Sequence, residues 1–215
     1  ALKGPPMALP IIFSQALAAS SATALVNVQG TTAALTAFTL ATTVLDVQRR
    51  VLLTFTGNES SNTFRVVGTN GAGNTIRETL TGTNATTAQS NLDFKTVSSI
   101  TPVATTAGTT SAGTNGVGSS LWQIVNWNAD PSDIGCGVEL RSGAANYTVQ
   151  YTYDDPNNLL AGLAYPTPFN HSVVAAASAT ADGVFAFPVV AIRLLTNSGT
   201  GTLWFRMLQS GLGSP

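Results

Sequence analysis

From about Leu35 onward this chain carries no amphipathic segment of helical length; short apolar stretches instead alternate with clusters of Gly, Asn, Ser and Thr. Strands joined by turns produce that spacing, and it restricts the fold to a sandwich or barrel built from antiparallel sheet. The clearest strand runs from Asn146 to Asp154. There Tyr147, Val149, Tyr151 and Tyr153 fall on one face, and Thr148, Gln150, Thr152 and Asp154 on the other. Strict alternation of this kind predicts one buried and one wet face.

Two further pairs of segments have the chemistry of hairpins. Thr63 to Thr69 and Thr75 to Thr81 flank Asn70-Gly-Ala-Gly-Asn74, whose glycines accept the positive φ that a tight turn needs. Val189 to Thr196 and Thr202 to Leu208 flank Asn197-Ser-Gly-Thr-Gly201 in the same way. In this second pair Val190, Ile192 and Leu194 line one face and Leu203, Phe205 and Met207 continue it, while Trp204 points the other way.

Between the halves, Thr105 to Ser120 consists almost wholly of Thr, Gly, Ser and Ala, a composition that reads as a flexible linker or long loop. The fold expected is therefore all-β, two antiparallel β-sandwich modules of immunoglobulin-like or jelly-roll-like type with an extended N-terminal arm. The arm covers residues 1–30, the first module 31–105, the linker 106–120 and the second module 121–215. Further along, Pro156 to Leu160 and Tyr165-Pro-Thr-Pro-Phe169 form a Pro-punctuated loop with outward apolar residues. Loops of this length are commonly functional or interfacial.

The N-terminal segment imitates a secretory signal, with Lys3, an apolar run from Met7 to Ala19 and small residues from Ala18 to Ala24. Pro5, Pro6 and Pro10 interrupt it, and the run is too short for a membrane span. The expectation is an extended, partly apolar arm that docks on another subunit.

Only 9 % of the 215 residues are charged and the net charge is −1, against roughly 25 % charged in an ordinary soluble domain. No basic stripe points to nucleic acid or to an anionic membrane surface. A surface this poor in charge lacks the usual defence against association, which favours a protein packed against copies of itself or a partner.

Chemistry has few residues to work with. The one histidine, His171, lies in Phe169-Asn-His-Ser172, which matches no catalytic signature and reads as a surface or capping residue. The one cysteine, Cys136, sits in Ile134-Gly-Cys-Gly-Val138 with no basic neighbour to activate it, and no intrachain disulfide can form. One His and one Cys cannot build a tetrahedral zinc site. Asp130, Asp133, Asp154 and Asp155 lack the alternating spacing of a calcium loop. The ten Asp and Glu residues specify no carboxylate pair for glycoside hydrolysis, and no glycine-rich stretch continues into a phosphate-binding Gly-Lys-Ser/Thr. The expectation is a non-enzymatic chain with no catalytic residue, no metal and no cofactor.

Two groups of segments resemble a set of tailed-phage virion proteins described as structural. The first comprises Val44 to Asn58, Asn62 to Asn74 and Asp93 to Ile100; the second comprises Asn146 to Pro156, Asp182 to Arg193 and the closing Gly-rich segment. The resemblance implies a virion surface component: a capsid decoration or cement protein, or a piece of the head–tail collar or fibre. It implies the major capsid protein or other virion proteins as partners, a homo-oligomer, and neither nucleic acid nor membrane.

The leading expectation is a decoration protein on the outside of the capsid, held by apolar burial and sheet-edge pairing. Its candidate contacts are Leu9, Ile11, Ile12 and Phe13 in the arm and Leu159, Leu160, Tyr165 and Phe169 in the Pro-punctuated loop. The alternative is a collar, head–tail or tail-fibre component that binds host-surface sugars through Trp122, Trp127 and Tyr165. A third reading, an exported adhesin or surface-layer module, requires the N-terminus to be a true signal.

Overall fold

A computed structural model describes residues 10–126, 133–157 and 165–209. Every regular element among these residues is a strand, as the turn-punctuated sequence predicts, and every pairing described below is antiparallel. The first seven are β1 (Ile11–Gln15), β2 (Ser21–Gln29), β3 (Val44–Phe55), β4 (Thr63–Thr69), β5 (Thr75–Thr81), β6 (Thr87–Pro102) and β7 (Thr110–Ser119). The rest are β8 (Gln123–Ile124), β9 (Ile134–Ser142), β10 (Ala145–Thr152), β11 (Phe169–Asn170), β12 (Ala181–Phe185), β13 (Ala191–Gly199) and β14 (Thr202–Gln209). The chain divides into two compact units, Ala18–Leu121 on the one hand and Ala1–Leu17 with Trp122–Pro215 on the other.

In the Ala18–Leu121 unit the strands run in the order β2-β7-β3-β6-β4-β5. The β4–β5 hairpin forms as its turn chemistry predicts, with Gly73 at φ 85° and the Asn70 side chain accepting from the N–H groups of Ala72 and Asn74. The segment between β2 and β3 lies alongside β6 and β2. Leu35 N–H and Phe38 N–H donate to Pro102 O and Ile100 O at 2.8 and 2.9 Å, and Ala41 N–H donates to Leu25 O at 2.7 Å. These bonds close a hydrogen-bonded circuit through β6, the segment, β2, β7 and β3, leaving fewer open sheet edges. Its core includes Leu25, Phe38, Leu53, Phe64, Phe94 and Ile100, with Phe64 packed between Phe55 and Phe38 at centroid distances of 4.8 and 6.4 Å.

Two expectations fail in this unit. Residues 106–120 are not a linker, because most of them form β7, which lies between β2 and β3. Thr110, Ser111, Ala112, Thr114 and Ser119 are all buried. Small side chains serve here to let neighbouring backbone approach: a Cβ on Gly113 would stand 1.8 Å from the Ser21 carbonyl oxygen. Nor are residues 1–30 one arm, since Ser21–Gln29 pairs with β7 and buries Leu25 and Val26 in the core. The unit boundaries accordingly fall at 17/18 and 121/122 rather than at 30 and within 106–120.

The unit containing Trp122–Pro215 consists of two groups of paired strands around one core. One is a four-stranded sheet in the order β1-β14-β9-β12; in the other, β10 lies between β11 and β13, with β8 on the far side of β13. Inward residues of both meet in a shared core: Ile134, Cys136 and Val138 from β9, Tyr147 and Val149 from β10, Ile192 and Leu194 from β13, and Leu203, Phe205 and Met207 from β14. This is the layered arrangement of a β-sandwich.

Ile192 and Leu194 of β13 and Leu203, Phe205 and Met207 of β14 face inward as read from the sequence, whereas Val189 rather than Val190 joins the core, and the two strands are not a hairpin. β13 pairs with β10 and β14 pairs with β9 and β1, so the turn at 199–202 carries the chain from one sheet to the other. The step from β9 to β10 does the same, and the two corners adjoin: Gly201 N–H donates to Ala144 O at 2.9 Å. At φ 91°, Gly199 leaves no room for a side chain, because its Cβ would lie 2.3 Å from Ala144 O.

β1 corrects the docking-arm expectation. It pairs with β14 in its own chain, Ile11 opposite Met207 and Phe13 opposite Phe205, with the two phenylalanine rings 5.1 Å apart. Alternation sends Ile11 and Phe13 toward the core of their own unit and leaves Ile12 outward. Leu9 lies outside the described residues. The expected wet face of β10 is also corrected, since Thr148, Gln150 and Thr152 are all buried. Asn197 Nδ2 and Ala176 N–H donate to the Thr148 hydroxyl, and Arg193 Nε donates to Gln150 Oε1.

Candidate interaction surface

The groups that sequence reasoning weighed for chemistry are committed to structure. His171 is 3 % exposed. Its Nδ1 accepts from Val173 N–H and Val174 N–H at 3.2 and 3.0 Å, which leaves Nε2 to carry the proton and donate to Val184 O at 3.2 Å. Its ring packs edge-on against Phe185 at 4.6 Å. Room for the ring comes from Gly183, where a Cβ would stand 2.5 Å from the imidazole Cε1. His171 is therefore a buried cap for its own turn.

Cys136 is buried on the inward face of β9, and burial pushes its thiol up to about 11, the opposite of what a nucleophile needs. Asp155 caps a turn, accepting from Asn157 N–H at 2.9 Å, and Asp154 ties down a distant segment, accepting from Thr167 N–H at 2.7 Å. Asp130 lies outside the described residues. Among the described residues no three His, Cys, Asp or Glu side chains are placed to hold a metal ion. No helix among them is long and apolar enough to cross a membrane.

In the Ala18–Leu121 unit the buried ions are likewise clamps. Ala18 N–H donates to Asp46 Oδ2 at 2.7 Å while Arg49 Nη2 donates to Ala18 O at 2.6 Å. Burial lowers the pKa of Arg49, partly offset by Asp46. Glu59, also buried, accepts from Asn62 Nδ2 and Ala107 N–H, holding two loops together.

The surface feature left over is aromatic. At one end of the unit containing Trp122–Pro215, rings emerge from the core in sequence. Phe185 is fully buried, Tyr151 half-buried, and Phe187, Phe169 and Tyr153 are 39, 42 and 54 % exposed. β10 supplies Tyr151 in register with Phe169 of β11, and their rings stack at 5.6 Å and 26°. Tyr153 meets both Tyr151 and Phe169 at 5.6 and 5.5 Å. Phe187 stands edge-on to Tyr151 at 5.4 Å. Desolvation, then Tyr153, raise the pKa of the Tyr151 phenol. The rings brace one another, and side chains held by mutual packing lose little conformational entropy when covered.

Of the residues expected to make contacts, Phe169 belongs to this patch. Tyr165 is also exposed but makes no ring contact with it among the described residues. Leu159 and Leu160 lie outside the described residues, as does Trp127. Trp122, considered for sugar stacking, has the Arg193 guanidinium 4.6 Å over its ring. Sequence reasoning missed Tyr153 and Phe187 as surface groups. Tyr153 continues the alternating face read as buried, but it lies just past the end of β10, and Phe187 lies just past the end of β12.

A second outward face lies on the β1-β14-β9-β12 sheet. Trp204 is flanked by the guanidiniums of Arg141 and Arg206 at 4.4 and 5.5 Å. Glu139 pairs with both, at 3.0 Å to Arg141 Nε and 2.7 Å to Arg206 Nη1. Comparison with known proteins returns no matching family model, no matching curated protein and no matching solved structure.

Proposed function

We propose that the protein is a non-enzymatic structural component of a tailed-phage particle, a decoration or cement protein bound to the outer surface of the major capsid lattice. The observation that carries the attachment is the braced patch of Tyr151, Tyr153, Phe169 and Phe187 at one end of the second unit. Rigid aromatic groups are the side chains that anchor protein interfaces most effectively, and a surface with few charges supplies little else to hold a partner. The capsid as partner follows from the resemblance of Val44 to Asn58 and Asn146 to Pro156 to virion structural proteins.

The exposure of Tyr165 and Tyr153 favours a second reading, a collar, head–tail or tail-fibre component that stacks host-surface sugars on these rings. Stoichiometry separates the two. Quantitative mass spectrometry of purified particles is expected to find hundreds of copies per particle. A dozen or so would move the protein to the collar or tail, and its absence from particles would overturn the virion reading.

A further inference from the structure

We propose that the outer face of the β1-β14-β9-β12 sheet is a self-association surface, occupied by a second copy of this chain docked face to face about a two-fold axis along β9. Residues of matching chemistry flank that strand. Register places Arg206 of β14 and Asp182 of β12 on opposite sides of Gly137. It places Leu208 and Val184 on opposite sides of Gly135 in the same way.

A half-turn about β9 brings each of these residues over its opposite in the other copy. Arg206 then meets Asp182 of the second copy, twice, and Leu208 meets Val184 of the second copy, twice. An isologous contact requires this self-complementarity, in which a patch and its own rotated image attract.

The residues are available for such a contact. Leu208 and Val184 are both more than half exposed, as is Ile12, which lies next to Arg206 on β1. Asp182 is exposed and has no ion-pair partner among the described residues. Arg206 is already oriented by Glu139 and Trp204, so little side-chain freedom is lost when it pairs.

The centre of the face also permits close approach. A Cβ on Gly137 would meet nothing within 4 Å, and one on Gly135 only Leu208 O at 3.8 Å. Facing sheets ordinarily pack about 10 Å apart with interdigitating side chains. Here the flanking Leu and Val side chains can settle over bare backbone of the other copy. Four short strands offer less than the ~800 Å² per partner of a standard stable interface, which places this contact in the small, transient class.

The test is sedimentation velocity on the full chain, from low micromolar to near-millimolar concentration. The wild type is expected to pass from monomer to dimer across this range. Gly137→Gln, which fits the folded monomer because the space above it is open, and Asp182→Arg, which sets like charges together, are each expected to raise the dissociation constant at least tenfold. Val28→Lys, an exposed change in the other unit, should leave it unchanged. A wild type that stays monomeric throughout, or a dimer indifferent to both Gly137→Gln and Asp182→Arg, overturns the proposal. Neither result bears on the virion reading, which rests on the resemblance to virion proteins and, for its attachment, on the aromatic patch.

Discussion

Cys136 shows how burial converts a reactive residue type into a structural one. Its thiol ionises at about 11 in the folded chain, against 9.0 without that burial, chiefly through desolvation. The folded state therefore holds this proton to higher pH than the unfolded chain does. The stability so contributed is complete below pH 9.0 and is lost as pH rises through about 11. Denaturant titrations are expected to show the wild type losing on the order of 2 kcal/mol more than Cys136→Ala across that interval. Equal losses in the two proteins would mean that the thiol is not desolvated. The phenol of Tyr147 is raised chiefly by burial, which both proteins share; the smaller part that Cys136 adds is present only in the wild type and belongs to the difference measured. His171 belongs to the same scale: of the expected surface or capping role it fills the capping half but not the surface half, because it is buried against Gly183, a neighbour no local pattern displays.

Among the elements, β1 tests whether the N-terminal segment is part of this fold or is reserved for a partner. Phe13 faces inward against Phe205, whereas Ile12 is outward and 54 % exposed. Phe13→Ala is expected to lower stability by about 3 kcal/mol, and Ile12→Ala by no more than about 0.5 kcal/mol, both read from urea midpoints. Similar small effects for both would mean that β1 does not dock in solution. Local pattern revealed much at this scale. The alternation from Asn146 to Thr152 and the Asn70–Asn74 turn were legible because period and turn chemistry are properties of neighbouring residues. Strand partners were not. The glycines at 199 and 201 look the same whether a turn closes a hairpin or passes the chain between sheets, and the choice is made by β10 and β9, about 50 to 70 residues away in sequence. β7 was misread for a related reason. Its small, weakly apolar residues resemble a linker, yet they are what a strand needs when β2 backbone lies against it.

For the whole molecule, composition conveys a chain short of charge and short of catalytic groups, and only the resemblance points to a particle. The patch proposed for contact was only partly legible. Phe169 is among the expected contacts, but the patch it joins is assembled from β10, β11 and the residues just past β10 and β12, which are far apart in sequence. The account stands on that patch being the attachment point. Its most direct test is cosedimentation of the purified full chain with emptied capsids, comparing the wild type with Tyr153→Ser/Phe169→Ser. Both substituted side chains are exposed, so the variant should keep its fold, checked by its melting temperature. The account predicts that it binds at least tenfold more weakly, the loss of about 2 kcal/mol expected when two aromatic anchors are removed. A folded variant that binds as tightly as the wild type would contradict it.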